Sequence, residues 1–271
     1  MKVPSTDGER AEALIQRYDA EAKSYLSYWA PVIHPASCRL VGELVLPSAH
    51  RVLDLGAGAG TLLPVLGEKF GGAVVVGVDR SEGMLSLADT DDSVAVMDAL
   101  DLGFRAAVFD LVVMSFMLFH LPDAAAGLKE ARRILRPGGK LSLSTWATDI
   151  EAPAVRSWND ALDAHGAPAA DALPRLANHD IMDTPDKVEN LLGSAGFVSV
   201  EATVHEFSHT MQPDDFVALR LHVGATSQRL RSLTVEAQQH CVTDARSRLA
   251  ALSPEDFTLR MKIILTSATT T

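Results

Sequence analysis

One stretch of the sequence limits the possible folds more than any other. Residues 51–60 read RVLDLGAGAG, an apolar run followed by glycines at alternate positions, Gly56, Gly58 and Gly60. Glycines permit a sharp turn and let a ligand approach where a Cβ would collide. Residues 61–70 can form a helix, whose N-terminus would direct free N–H groups toward that ligand. The stretch therefore predicts the first half of a βαβ unit with a ligand at its turn.

The spacing of the glycines bears on the kind of ligand. A dinucleotide fingerprint reads GxGxxG, whereas this loop reads GxGxG and Thr61 stands where the third glycine would be. A dinucleotide-dependent oxidoreductase is therefore the weaker alternative, and it stays open at this point.

Strands and helices alternate along most of the chain. Apolar segments at 73–79, 93–98, 109–116 and 140–146 follow the first strand, and further strand patterns occupy 197–207 and 256–268. Helical patterns separate the first five, and this alternation predicts an α/β fold with a doubly wound sheet.

Two acids lie at the ends of predicted strands. Asp79 ends the second strand about 20 residues beyond the glycine turn, the station at which a carboxylate accepts hydrogen bonds from ribose hydroxyls. Ser81 is the better cap for the helix that follows. Asp98 ends the third strand. Ligands bind at this edge of open α/β sheets, so both acids are candidate ligand contacts.

The motifs LDLGAGAG, VDRSEGML, Asp98-Ala99 and LRPGGKLSLS occur in this order. Together they resemble the class I methyltransferases that use S-adenosylmethionine (SAM), in particular the small-molecule, ubiquinone/menaquinone-methylase-like group. By motif, the resemblance covers roughly residues 10–146. It implies a Rossmann-like, seven-stranded sheet whose last strand is antiparallel, a helical lid, and SAM as the cofactor.

The resemblance also implies roles for individual residues. Asp54 would orient the methionyl end of SAM, Asp79 would bind the ribose, and Asp98 would receive the adenine amino group beside the Ala99 N–H. The full set of expected cofactor contacts is Tyr18, Tyr25, Asp54, Gly56, Ala57, Gly58, Gly60, Asp79, Arg80, Met84, Asp98, Ala99 and Ser115.

Residues 7–29 predict a helix that carries all three tyrosines of the chain. Its YDAEAKSY segment looks like the opening helix of the same group, which folds over the cofactor. Tyr18 and Tyr25 either pack this helix on the main domain or form a pocket wall, and both readings stay open. We expect a second helix over 31–46, interrupted near His34-Pro35, with His34 capping or exposed.

We expect a single domain, 1–271, in four parts. Residues 1–46 would form an N-terminal helical cap and 47–146 the SAM-binding core. Segments 147–183 and 208–254 would be lid insertions, the latter with two helices joined by about ten residues of loop. We expect the threonine-rich C-terminus to fray.

The sequence predicts the residues that contact the methyl acceptor less clearly. His120, in the SFMLFH segment after the fourth strand, is a candidate general base, or else a histidine that holds its loop by hydrogen bonding. Candidate substrate contacts are Trp29, Phe116, Trp158, His165 and His179. The expected reaction is SN2 transfer of a methyl group to a small, partly apolar metabolite, in secondary metabolism, with O slightly favoured over N or C. A SAM-binding protein without transferase activity is the other alternative.

Composition and charge limit the classes of molecule that the protein is expected to bind. The formal net charge is −11 and the pI about 5.2, which disfavours nucleic acid. Two distant cysteines without a C-x-x-C pair indicate no metal site and a cytoplasmic protein. No apolar run approaches the roughly 20 residues that span a bilayer, and no signal peptide is recognisable. We expect a monomer or homodimer that binds no membrane.

Overall fold

The computed structural model describes residues 6–89, 93–170 and 179–271. Its centre is a seven-stranded sheet with the strand order β3-β2-β1-β4-β5-β7-β6. The strands are β1 Arg51–Leu55, β2 Val74–Asp79, β3 Ser93–Val96, β4 Phe109–Ser115, β5 Leu135–Trp146, β6 Phe197–Thr210 and β7 Thr258–Thr270.

Strand directions follow the Rossmann-like plan. β1 pairs in parallel with β2 and β4, with Leu53 opposite Val76 on one side and Val112 on the other. β7 is antiparallel to both β5 and β6. Nearly every residue of β1 and β4 is buried, as expected for parallel strands covered on both faces. The predicted fold class, with its antiparallel last strand, is confirmed.

Ten α-helices are found in the described part of the chain. They are α1 Asp7–Ser24, α2 Ala30–Glu43, α3 Leu63–Lys69, α4 Glu82–Leu85, α5 Ala124–Ile134, α6 Pro153–Ala164, α7 Pro185–Ser194, α8 Pro213–His222, α9 Gly224–Arg231 and α10 Val235–Leu249. Within the described ranges, no helix is long and apolar enough to cross a membrane.

The N-terminal helices differ from the prediction. There is no interruption at His34-Pro35, because Pro35 lies inside α2. The irregularity falls earlier, in a π-helical segment, Tyr25–Trp29, that joins α1 to α2 and is closed by an N–H bond from Ala30 to the Tyr25 carbonyl. Pro31 has no N–H of its own, and a wider turn before it accommodates a missing donor.

The RPGG segment is part of the fifth strand instead of preceding it. β5 begins at Leu135, and the register with β4 shifts between Phe109 and Leu111. Gly138 has φ 73° at this irregularity. The proline and glycines therefore make a bulge that bends β5 directly after α5.

The C-terminal part contains two further corrections. The expected loop between the two late helices contains a third helix, α9. The threonine-rich end does not fray, since β7 pairs with β5 and β6 up to Thr270. The Thr270 hydroxyl donates to the Arg136 carbonyl at 2.6 Å, and this bond fastens the end of the chain.

Candidate functional site

A cavity of about 780 Å³ lies at the carboxyl ends of β1, β2 and β4. Helix α1 covers it with Ala11, Leu14, Ile15 and Tyr18, which share one helix face at spacings of three, four and seven residues. The cavity, whose volume includes space open to solvent, lies where the carboxyl ends of these strands meet. It therefore occupies the edge of the sheet at which the sequence places its ligand.

A smaller cavity, about 460 Å³, adjoins the first. The two share Tyr25, Gly56, Gly58 and Ser115 as lining residues. α2 forms one side of the smaller cavity and the glycine loop the other. The π-helical segment thus brings Tyr25 to the boundary between two adjoining compartments.

The glycine loop requires glycine for two separate reasons. Gly56 has φ 82°, and a Cβ built there would lie 2.6 Å from the Met117 Cβ. Gly58 has φ 55°, a left-handed conformation that L-residues avoid. Both residues line both cavities, so the backbone itself forms the floor of the site.

Asp79 connects this loop to the end of β2. Its Oδ2 accepts from the Gly58 N–H at 2.8 Å and its Oδ1 from the Ser81 N–H at 2.9 Å. Burial raises the pKa of Asp79, although these backbone bonds oppose the shift. Ser81 Oγ caps α4 by accepting from the Met84 N–H, so Asp79 itself is not the cap.

Asp54 lies deeper, on β1, and lines the smaller cavity. It is 2% exposed. Burial, and secondarily the nearby Asp79 carboxylate, raise the pKa of Asp54 to about 7. A buried acid whose pKa is raised by burial and by a second carboxylate would be stabilised in its charged form by a cationic group.

Tyr18 and His120 connect the cap to the sheet edge. The Tyr18 Oη lies 3.0 Å from His120 Nε2, and the rings meet edge to face. Burial raises the pKa of Tyr18, so its hydroxyl keeps its proton near neutrality. Both side chains line the larger cavity.

Two acidic side chains of α1 hold this helix in place. Asp19 Oδ1 accepts from Ser81 Oγ at 2.6 Å and from the Gly83 N–H at 2.9 Å. On the other side, the buried Glu21 accepts from the Gly224 N–H at 3.0 Å and forms an ion pair with Arg231. The helix is therefore fixed both to the sheet edge and to the C-terminal helices.

Most predicted cofactor residues come together at these cavities. The larger one is lined by Tyr18, Tyr25, Gly56, Gly58, Asp79, Arg80, Met84, Ala99 and Ser115, and the smaller one adds Asp54 and Ala57.

Two predicted residues lie outside both linings. Asp98 faces Arg80, with a 3.6 Å ion pair, and accepts from the Leu100 N–H. Gly60 has φ 73° and lies behind the loop, where a Cβ would be 2.8 Å from the Ala88 Cβ.

The acceptor residues proposed from sequence are mostly elsewhere. Phe116 lines the larger cavity, with φ 55° at the end of β4. Trp29 packs instead against Trp146, with ring centroids 6.1 Å apart. Trp158 is fully buried and meets Phe216 edge to face, so it is a core residue and not a cavity contact.

The two remaining histidines do not line the cavities either. His165 ends α6 and pairs with Asp244 at 3.4 Å. His179 opens a single 3-10 turn, and its side chain is outside the described residues. Described residues of the expected lid segments 147–183 and 208–254 line neither cavity. Those helices pack on one another, and α8 contacts both α1 and the π-helical segment, Tyr25–Trp29.

The sequence reasoning missed several lining residues. His34, Ser37 and Thr61 line the smaller cavity. Leu14 and Ile15 line the larger one, and their helical spacing from Tyr18 was the signal that could have found them. No comparable signal pointed to His34, because its position depends on the π-helical segment before it.

With this geometry described, the chain can be compared with known proteins. Residues 53–143 match a family model described as a methyltransferase domain. The chain is 36% identical over 170 residues to a demethylmenaquinone methyltransferase of Clavibacter sepedonicus, a match that covers 57% of this chain and 68% of the relative. It is 32% identical to the aklanonic acid methyltransferase DauC of Streptomyces sp. strain C5, over 51% of this chain and 67% of that protein.

Solved structures agree on the fold. A Haemonchus contortus phosphoethanolamine N-methyltransferase, in complex with S-adenosylhomocysteine (SAH), superposes with a TM-score of 0.56 at 18% identity, over 98% of this chain and 60% of that one. The (4+2)-cyclase SpnF superposes with a TM-score of 0.57 at 16% identity, over 100% and 99%. At such identities these likenesses show the fold alone.

Fold and site together define a class I, Rossmann-like SAM-binding protein. The chain belongs to the family of SAM-dependent methyltransferases. Family membership removes the dinucleotide-dependent oxidoreductase alternative. Some relatives are matched over less of their length, as in Corynebacterium glutamicum, where the chain spans 46% of a demethylmenaquinone methyltransferase.

The site residues fit SAM chemically. Asp79 supplies carboxylate acceptors at the mouth of the glycine loop, and Asp54 supplies a buried acid for an ammonium group. Met84, Met97 and Ala99 supply an apolar face. Among the described residues, no group of three His, Cys, Asp or Glu side chains is arranged to hold a metal ion.

Proposed function

We propose that this protein transfers the methyl group of SAM to a small, partly apolar metabolite, with oxygen as the favoured acceptor atom. The observation that carries the proposal is the larger cavity. It joins a ribose-binding acid, Asp79, to apolar side chains such as Leu14 and Phe116 and to His120. A ligand with a polar nucleoside end and an apolar neighbour matches this lining.

The histidine supports oxygen as the acceptor atom. SAM supplies a methyl group on a sulfonium sulfur, and the protein mainly has to align the reacting atoms. Transfer to an acceptor oxygen would break the bond between the methyl carbon and sulfur, and its electron pair would stay on sulfur. The hydroxyl proton of the acceptor passes to His120, whose ring is held by Tyr18 at 3.0 Å.

The acceptor side has an aromatic wall. Phe116 lies with its ring centroid 4.9 Å from that of Trp146, which in turn packs on Trp29. Phe116 holds a left-handed backbone conformation that is costly for a bulky residue, and such strain concentrates at functional sites. We infer that Phe116 contacts an apolar part of the acceptor.

The test is a transfer assay with methyl-labelled SAM. The acceptor panel begins with demethylmenaquinone and aklanonic acid, the compounds in the relatives' names, and adds simple phenols, carboxylic acids and amines. We expect label on an oxygen of at least one apolar acceptor. Replacement His120→Asn should lower kcat about 100-fold with a small change in KM, as for loss of a general base.

The exposed His222 offers a matched control, since it lies at the end of α8 and lines neither cavity. His222→Ala should leave kcat unchanged. Transfer to nitrogen or carbon alone would overturn the preference for oxygen. SAM binding without transfer to any panel member would favour the non-methylating alternative.

A further inference from the structure

Few charged or titratable side chains line the smaller cavity. Asp54 is the only acidic side chain among its described lining residues, and His34 is the only basic one. No lysine or arginine lines it within the described ranges. The amino-acid end of SAM carries an ammonium and a carboxylate. If this cavity holds that end, as the proposed function requires, Asp54 matches the ammonium and the carboxylate needs a donor.

In one tautomer of its ring, His34 has an N–H donor at Nδ1. Its Nε2 lies 3.2 Å from the Cys38 Sγ, one turn further along α2. Burial raises the pKa of the Cys38 thiol, which therefore keeps its proton. With the thiol as donor to Nε2, the neutral imidazole carries its own proton on Nδ1.

That Nδ1 is buried and has no hydrogen-bond partner among the described residues. A buried donor without an acceptor is unfavourable, and such groups in native structures call for a functional or ligand-related explanation. The two serine hydroxyls that line the cavity are already engaged. Ser37 Oγ lies 2.8 Å from Ser115 Oγ, which lies 3.1 Å from Ser144 Oγ.

We propose that His34 binds the carboxylate of the amino-acid end of SAM in the smaller cavity, which Asp54 also lines. An imidazole N–H can donate to a carboxylate in either protonation state of the ring. A hydrogen bond to a charged group is stronger than one between neutral groups. His34 thereby distinguishes SAM and SAH from nucleosides that lack the amino-acid end.

The test uses two ligands that differ in that end. SAH carries the amino acid, whereas 5′-methylthioadenosine keeps the nucleoside and the thioether without it. Titration calorimetry of both ligands with the full chain should show that His34→Ala weakens SAH about tenfold, the size expected for one hydrogen bond to a charged group. Affinity for 5′-methylthioadenosine should stay within about twofold of wild type.

Further variants separate binding from folding. His34→Gln retains an N–H donor and should recover part of the SAH affinity. His222→Ala is the matched histidine control and should change neither affinity. Equal losses for both ligands in His34→Ala would show a packing role and overturn the proposal, as would unchanged SAH affinity. If the wild-type protein bound neither ligand, the proposed function itself would fail.

Discussion

The buried aspartates at the two edges of the sheet differ in their hydrogen-bond partners. At the amino edge, Asp110 starts β4, and its Oδ2 accepts from the His50 and Arg51 N–H groups at 2.8 and 2.9 Å. Its Oδ1 pairs with Arg136 at 2.7 Å. At the carboxyl edge, Asp54 is even more buried, and no hydrogen bond from the described residues offsets its burial. The amino-edge carboxylate is satisfied by folding, whereas the carboxyl-edge one has no such partner among the described residues.

The same contrast holds between the two halves of the chain. Residues 11–121 supply the described lining of both cavities. The C-terminal helices pack on one another, and α10 with α6 above all. They reach the site through α1, where Glu21 meets α9 and Arg17 donates to Gln228 at 3.0 Å. The N-terminal half therefore lines the cavities, and the C-terminal helices support the helix that covers them.

The largest expected effect is at Asp79. Asp79→Asn keeps the shape of the side chain and removes the charge that would accept from ribose hydroxyls. We expect SAH affinity to fall about 100-fold, since hydrogen bonds to a charged group contribute about 1.5–3 kcal/mol each. Calorimetry measures the affinity, and a thermal melt reports whether the fold is retained.

Asp110→Asn is the matched control at the opposite edge. It breaks the ion pair between Asp110 and the partly exposed Arg136 and weakens the acceptor of two backbone N–H groups, so the free energy of unfolding should fall by about 1–3 kcal/mol. SAH affinity of the folded protein should be unchanged. Equal loss of SAH affinity in both variants would remove the distinction between the two edges.

The second effect concerns pH and Asp54. Because the pKa of Asp54 in the free protein is about 7, the carboxyl is protonated below that pH, and an ammonium ligand must displace the proton. SAH affinity should therefore rise about tenfold from pH 6 to pH 8, with about fivefold of this rise below pH 7, and flatten above pH 8. Asp54→Asn should remove this rise, and 5′-methylthioadenosine should not show it in the wild type. A pH profile shared by both ligands would contradict the assignment.

The contribution of Asp54 to stability changes with pH in the opposite direction to SAH affinity. A folded-state pKa raised above the unfolded value of about 3.9 means that the folded chain binds more protons between these two values. The contribution of Asp54 to stability therefore falls as pH rises from about 4 to 7. Relative to wild type, Asp54→Asn should gain stability across this window.

The smallest effect is at the contact between α1 and α4. A Cβ at Gly83 would lie 2.8 Å from the Asp19 Cα, so Gly83→Ala should push α1 away from the sheet edge. We expect SAH affinity to fall about fivefold, the lower end of the cost of overpacking, about 1–3 kcal/mol. Hydrogen exchange should become faster in α1. Gly67→Ala, in α3 with nothing within 4 Å of its Cβ, is the control. Unchanged exchange in α1 would show that the contact does not hold the cap.

Local motifs were readable because each is contained in a short stretch of backbone. The Gly58 N–H and the Asp79 carboxylate form a hydrogen bond and are only 21 residues apart in sequence. One helix, α3, lies between them, and Asp79 is the last residue of β2. The cap is different. Tyr18 and His120 are 102 residues apart, and Asp19 and Ser81 are 62 apart. Residue type made Tyr18 and His120 candidates, but their pairing depends on how α1 lies on the sheet.

Errors came from residues whose role depends on packing. Trp158 was expected at the substrate because it lies in the segment after the fifth strand that was expected to form part of a lid, yet it is buried against Phe216 of α8. The threonine-rich end looked frayed because it lacks apolar residues, yet two neighbouring strands supply its backbone partners. His34 was expected to cap or be exposed, and the π-helical segment turns it toward the smaller cavity.

The sequence by itself determined the strand–glycine–helix unit and the acid at the end of β2, because hydrophobic periodicity and glycine conformations act over a few residues. The family was indicated by the resemblance of short motifs to those of known methyltransferases. Only the tertiary structure decided what covers the site. Helix α1 forms the roof, since Asp19 and Glu21 find partners on opposite sides of it. Those partners lie far apart along the chain, and no local pattern brings them together.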